Sequence, residues 1–209
     1  MFLAASGLAL EAAEAARVAG REVLGCLDDD PSLWGTSLRG WLPVLSGGID
    51  ALGDLRRKHD VEQVVCAGRG QVRRAIVQRL AAGGVDDGFA TVIHPSVSVP
   101  ESCSVATGSV LLAGCVLTAQ VTVGAHVVCM PNVVLTHDDV VADYVTLCAG
   151  VVLGGSVRVG EAAYLGMGAS VRENIRVGAG STLGMGSALV RDLPDGQTWA
   201  GVPARLMEA

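Results

Sequence analysis

Histidine is the scarce acid–base group of this chain, with four among 209 residues, and their neighbours separate them. His59 sits in the polar run Arg56-Arg57-Lys58-His59-Asp60 and reads as a solvated surface group. His94 and His126 read as packing or interface side chains. His137 differs, because in Leu135-Thr136-His137-Asp138-Asp139 two carboxylates follow it directly. A neutral imidazole beside a carboxylate suits acyl transfer to an amine or hydroxyl. The ring removes the acceptor's proton, while the carboxylate fixes the tautomer and stabilises the cation that forms.

Other chemistries find less support. A zinc site would need three converging histidines, and only His126 and His137 are plausible, so no metal is expected. The six cysteines, at 26, 66, 103, 115, 129 and 148, form no CxxC pair and no Cys/His cluster at zinc spacing. Within apolar segments they read as small core residues of a reduced, cytoplasmic protein. A formal net charge of −6 argues against nucleic acid as a partner. No apolar run approaches the length of a membrane span, and no basic start precedes a cleavage site, so neither span nor signal peptide is expected.

The elements that must position His137 follow an unusual period. Every sixth residue from Ile93 through Val99, Val105 and Leu111 to Leu189 is aliphatic or Cys. The slot four residues after each is small or aliphatic too, except at Asp139. Neither an α-helix nor a two-sided strand repeats every six residues. The pattern predicts a three-sided prism in which each hexad is a short flat strand plus a corner, and three hexads make a lap of eighteen residues. Glycines 124, 154, 160, 166, 178 and 184 are expected to serve its corners. The composition agrees: half the chain is apolar, only 3% is aromatic, and 28 glycines are available for turning. The charged fraction of 17% lies below the roughly 25% of an average domain, as suits a fold that hides surface in an oligomer.

This winding stacks Gly155 on His137, about 4.8 Å apart along the axis. There a glycine can offer an unobstructed backbone N–H to a carbonyl oxygen gaining charge. Met167 and Met185 stack in the same way. Asp139 takes an inward slot, where a lone carboxylate is costly. The expectation is that it shares with Asp138 the orientation of His137.

The first 90 residues follow a different pattern. Strand candidates at Met1–Ala5, Glu22–Leu27 and Val61–Ala67 alternate with helix candidates at Leu8–Ala19, Ile49–Lys58 and Gln71–Ala82. This order predicts a small Rossmann-like parallel sheet, with ligands beyond the carboxyl ends of its strands, where Ser6-Gly7, Asp28-Asp29 and Gly68-Arg69 fall. The division is therefore an α/β domain over 1–90 and an all-β prism over 91–209.

Residues 91–209, with the closing run Asp192-Leu-Pro-Asp-Gly-Gln-Thr-Trp-Ala-Gly-Val-Pro-Ala-Arg205, resemble the hexapeptide-repeat acyltransferases. With the Rossmann-like start and Val92-Ile93-His94-Pro95-Ser96, the chain is similar to their sialic-acid and amino-sugar acetyltransferase subfamily. The resemblance implies a left-handed parallel β-helix, a homotrimer, acetyl-CoA as cosubstrate and a sugar or nucleotide-sugar acceptor. It implies His137 as base with Asp138 beside it, and the Gly155 amide as oxyanion donor. Thr146, Gly155, Met167 and Met185 would meet CoA, with Arg205 near a phosphate. Ser6, Gly7, Leu8, Asp28, Asp29 and Gly68 would hold the acceptor. Three positions depart from the subfamily pattern. Thr146 stands where relatives often carry a second histidine, Asp139 fills an apolar slot, and Ala4-Ala5-Ser6-Gly7-Leu8-Ala9 lacks the usual glycines and histidine. Acetyl transfer to an amino group, transfer to a sugar hydroxyl, and a non-catalytic scaffold all remain open.

Overall fold

The computed structural model describes residues 1–207. In chain order, β1 (Phe2–Leu3), α1 (Gly7–Val18), β2 (Cys26–Leu27), β3 (Ser37–Leu38), β4 (Leu42–Leu45), α2 (Leu52–Lys58), β5 (Val64–Val65) and α3 (Gly70–Ala82) build the first unit. Its sheet runs β3-β4-β2-β1-β5, parallel except for β3 against β4. The hairpin of β3 and β4 falls between the strand and helix candidates at Glu22–Leu27 and Ile49–Lys58, and Pro43 is tolerated in β4 because pairing with β2 begins only at Val44, whose N–H donates to the Thr36 carbonyl. Helix α1 begins where the Ser6 hydroxyl accepts from the Ala9 N–H at 3.3 Å. It stops at Gly20, whose φ of +77° a side chain disfavours.

From Val92 the chain winds as a parallel coil. Sixteen two-residue strands run from Val92–Ile93 to Ala188–Leu189, and each pairs with the strand eighteen residues away, as Val128 does with Thr146 and Val134 with Val152. The first face carries Thr122–Val123, Val140–Val141 and Arg158–Val159. The second carries Val116–Leu117, Val134–Leu135 and Val152–Leu153. The third carries Val110–Leu111, Val128–Cys129, Thr146–Leu147, Tyr164–Leu165 and Thr182–Leu183. Leu111 and every sixth residue after it to Leu189 are buried and form one apolar column. Each contributes about 1.5–3 kcal/mol by leaving water. Val99 is the exception: it lies in no strand and is 36% exposed.

The corners are not made as the sequence suggested. Every sixth residue from Gly108 to Gly186 takes a left-handed conformation, with φ between +54° and +76°. His126, Asp138, Tyr144 and Ala162 hold this position as well as glycines, so tertiary packing overrides the usual glycine preference. Glycines 124, 154, 160, 166, 178 and 184 have ordinary backbones. They serve the close stacking of laps instead: a Cβ at Gly160 would lie 2.5 Å from the Ala179 nitrogen, and one at Gly154 2.7 Å from that of Glu173.

The first unit packs on the third face, where Phe2, Ala9, Ala12, Val110, Leu112 and Val128 share one core. Arg73 bolts the two together. Fully buried, its guanidinium donates to the carbonyls of Ala67 (2.8 Å), Gly68 (3.2 Å), His126 (2.9 Å), Tyr144 (2.8 Å) and Val145 (3.0 Å), and to the Thr146 hydroxyl (3.0 Å). Burial lowers its pKa to about 10, so it stays charged at neutral pH. Gly70 is needed beside it, because a Cβ there would sit 1.9 Å from the Tyr144 carbonyl oxygen. At the far end of the coil, Thr198–Gly201 continues the third face and Ala204–Leu206 folds back against it.

Candidate active site

His137 stands on the edge between the second and first faces, opposite the third face and its attached domain. The turn holds it through main-chain bonds, as Ser156 N–H donates to its carbonyl at 2.8 Å and Asp138 N–H to that of Ala119 at 3.0 Å. The side chain is 66% exposed, and its Nδ1 meets Asp138 Oδ2 at 2.8 Å. With Nδ1–H donating to the carboxylate, Nε2 is left as the free acceptor. That is the tautomer a general base needs.

Gly155 lies directly under the ring. A Cβ there would be 2.3 Å from His137 Nε2 and 2.4 Å from Cε1, so only glycine leaves the imidazole its place. The lap spacing brings Gly155 here, and its N–H meets no acceptor among the described residues. A free base nitrogen and a free amide donor therefore share one spot on the edge.

Asp139 does not orient His137. It is fully buried and accepts from the Thr136 N–H at 2.8 Å and the Val157 N–H at 2.9 Å, tying one lap to the next. Burial pushes its carboxyl up to about 6. Thr146 faces no open groove. Its buried hydroxyl donates to the Gly68 carbonyl at 2.8 Å and accepts from Arg73. It therefore anchors the first unit rather than meeting a ligand at the surface. Met167 and Met185 lie in adjacent laps at one edge, 55% and 72% exposed, bordering the third face. Arg205 is exposed on the final strand.

The strand ends of the first unit converge. Ser6 Oγ donates to the Cys66 carbonyl at 2.6 Å, and Asp28 accepts from the N–H groups of Ala5 (2.7 Å) and Asp30 (2.9 Å). Ala4 takes φ +74°, so the turn keeps a glycine-like path without its glycine, at a cost of about 1–2 kcal/mol. Gly7 has open space around it, and Leu8 is buried behind it. Asp29 is turned toward Arg79, whose guanidinium binds it at 2.6 Å and holds its carboxyl below the usual range. The structure keeps Ser6 and Asp28 at neighbouring strand ends, as the sequence order implies; Arg73 carries no mark in the sequence beyond its place in the helix candidate Gln71–Ala82 and is not singled out by it.

No cluster of three His, Cys, Asp or Glu groups among the described residues is placed to hold a metal. His126, the other histidine considered for one, is buried on a different edge between Phe89 and Tyr144. No helix among the described residues is long and apolar enough to cross a membrane.

An eighteen-residue parallel coil bearing a histidine–carboxylate pair on its edge defines a class, the hexapeptide-repeat acyltransferases. Comparison with solved structures narrows it. PerB from Caulobacter crescentus, solved with CoA and GDP-perosamine, matches with a TM-score of 0.89 at 30% identity over 99% of this chain and 96% of that one. The acetyltransferase domain of PglB from Neisseria gonorrhoeae matches with a TM-score of 0.89 at 30% identity, over 99% and 98%. WeeI from Acinetobacter baumannii follows with a TM-score of 0.84 at 26% identity, over 99% and 98%. No protein-family model matches the chain, and no curated protein sequence does. The chain belongs to the left-handed β-helix sugar acetyltransferases and is an acetyl-CoA-dependent acyltransferase.

Proposed function

We propose that this enzyme moves the acetyl group of acetyl-CoA onto the amino group of a nucleotide-linked amino sugar, with His137 as general base. The observation that carries the reading is the imidazole seated over Gly155, with Nε2 and the Gly155 N–H both unclaimed. His137 Nε2 removes a proton from the acceptor nitrogen as that nitrogen attacks the thioester carbonyl. The carbonyl oxygen gains negative charge and takes a hydrogen bond from the Gly155 N–H. Asp138, on Nδ1, stabilises the imidazolium. As the adduct collapses the C–S bond breaks, and the departing thiolate takes the proton back from Nε2. CoA thiol and the sugar amide leave with the base restored.

The turn of Ser6, Gly7 and Leu8, together with Asp28, Asp29 and Gly68, is the proposed acceptor site. The Met167 and Met185 edge is the proposed donor groove. Both border the third face, whereas His137 stands on the opposite edge of the same prism. A homotrimer that sets each base edge against the neighbour's third face unites them. Val116 and Val152, 45% and 41% exposed on the second face beside that edge, offer apolar surface for it. The CoA and GDP-perosamine bound by PerB, and the N-acetyltransferase activity named for a perosamine enzyme from the same organism (TM-score 0.91, 29% identity), support a nitrogen acceptor.

The test is thiol release from acetyl-CoA with a panel of nucleotide-linked amino sugars and their hydroxyl counterparts. Release with amino sugars is the expected result. Release only with hydroxyl sugars would shift the reading to O-acetylation, and acetyl-CoA binding without any release would favour a scaffold.

A further inference from the structure

We propose that Arg69 is a binding residue for a phosphate group at the seam between the acceptor turn and the methionine edge. The inference rests on the acceptor and donor sites proposed above and adds the group that grips a charged substrate there. Arg69 follows Gly68 directly in the turn after β5 and precedes the first residue of α3. Its guanidinium carbon lies 4.2 Å from the centroid of the Tyr164 ring. Tyr164 belongs to the third face, between Thr146 and Thr182 in the ladder, and Met167 is three residues on. The cation is therefore held between the two proposed substrate sites.

Its neighbours leave it free for a ligand. Among the described residues no carboxylate pairs with Arg69, whereas Arg74 is paired with Glu161 at 2.8 Å. Arg73 is buried and spent on carbonyls and a hydroxyl. Arg69 is exposed, so the seam carries an unmatched positive charge on a chain whose formal net charge is −6. Contact with the Tyr164 ring fixes the guanidinium plane without consuming its N–H groups. A planar fork of donors held at the mouth of a site matches phosphate oxygens. Two substrates of the proposed reaction carry a diphosphate, the nucleotide-linked acceptor and CoA, and the chemistry of the contact is the same for both.

The experiment compares the full chain with its Arg69→Gln and Arg69→Lys variants. Titration calorimetry would measure CoA, GDP, UDP and dTDP separately, alongside KM for each substrate and the melting temperature. A charge-assisted hydrogen bond to phosphate corresponds to a loss of about tenfold to a hundredfold when removed. The expected result is that loss for one class only, with kcat and melting temperature little changed and partial recovery in Arg69→Lys. A loss for the nucleoside diphosphates assigns the contact to the acceptor, and a loss for CoA assigns it to the donor. Unchanged affinities throughout would overturn the proposal, as would an equal loss for both classes, which marks a structural effect. If the unsubstituted chain releases thiol normally while Arg69→Gln behaves identically, only this inference fails. If it binds neither CoA nor any nucleoside diphosphate, the functional reading fails with it.

Discussion

Adding one methyl group at Gly155 tests the geometry of the site more sharply than deleting the proposed base. The new Cβ would fall 2.3 Å from His137 Nε2 and 2.4 Å from Cε1. Carbon contacts settle near 3.5–4 Å, so the ring must move by about 1–1.5 Å. Such a shift breaks the 2.8 Å hold of Asp138 on Nδ1 or carries Nε2 off its line of attack. A misplacement of about 1 Å costs on the order of 10²-fold, and loss of a general base costs about 10²–10⁴-fold. Gly155→Ala should therefore lower kcat by at least about 10²-fold. The fold should not suffer. Gly155 has no left-handed φ, the imidazole is 66% exposed and free to swing outward, and Gly→Ala at a compatible site gains about 0.4–1 kcal/mol.

Gly160→Ala is the control, because its Cβ would meet backbone, 2.5 Å from the Ala179 nitrogen. It should cost about 1–3 kcal/mol, a fall of several degrees in Tm. Thiol-release kinetics and thermal melts on both variants make the comparison. Near-normal turnover in Gly155→Ala, or a Tm loss equal to that of Gly160→Ala, would refute the stacked geometry as the source of catalysis.

Further outcomes follow from other contacts. His137→Ala should lose about 10²–10⁴-fold in kcat while calorimetric affinity for acetyl-CoA stays unchanged. Asp139 is raised from an ordinary carboxyl to about 6 by burial, so folding favours its protonated form. Its contribution to stability is greatest below pH 4 and falls by about 3 kcal/mol as pH rises through 6. His126, lowered to about 4 by burial, acts in the opposite sense over the same range. The measurement is therefore the stability of the parent chain minus that of Asp139→Asn, by urea unfolding at pH 4.5 and 7.5, and the difference should shrink at the higher pH. Arg73→Met leaves buried carbonyls without donors and should cost at least about 3 kcal/mol, seen as a large drop in Tm with the first unit loosened in hydrogen exchange.

The prism was legible because its rule is arithmetic: an inward aliphatic every six residues fixes the lap, and the lap alone brings Gly155 under His137. The strand-end cluster was legible for a similar reason, since Ser6, Asp28 and Gly68 each follow an apolar run. What stayed hidden depends on contacts between distant segments. Nothing local marks Arg73 as buried or sends the Thr146 hydroxyl to Gly68. Asp139 looked like a partner for its neighbour His137, yet its two acceptor oxygens are claimed by the Thr136 and Val157 amides. The left-handed corner slot was concealed because residues as different as His126, Asp138 and Tyr144 occupy it, so no composition signal accompanies the conformation.

The reversed strand at the end of the coil governs what the molecule can become. A parallel coil ends on bare strand edges, and such edges are templates on which another copy can continue the winding. Here Ala204–Leu206 turns back on Thr198–Gly201, while Trp199 plugs the last lap with Arg191 laid over its indole. The third-face edge of the last lap is thereby paired within the chain, so a second copy approaching along the axis finds that edge already closed.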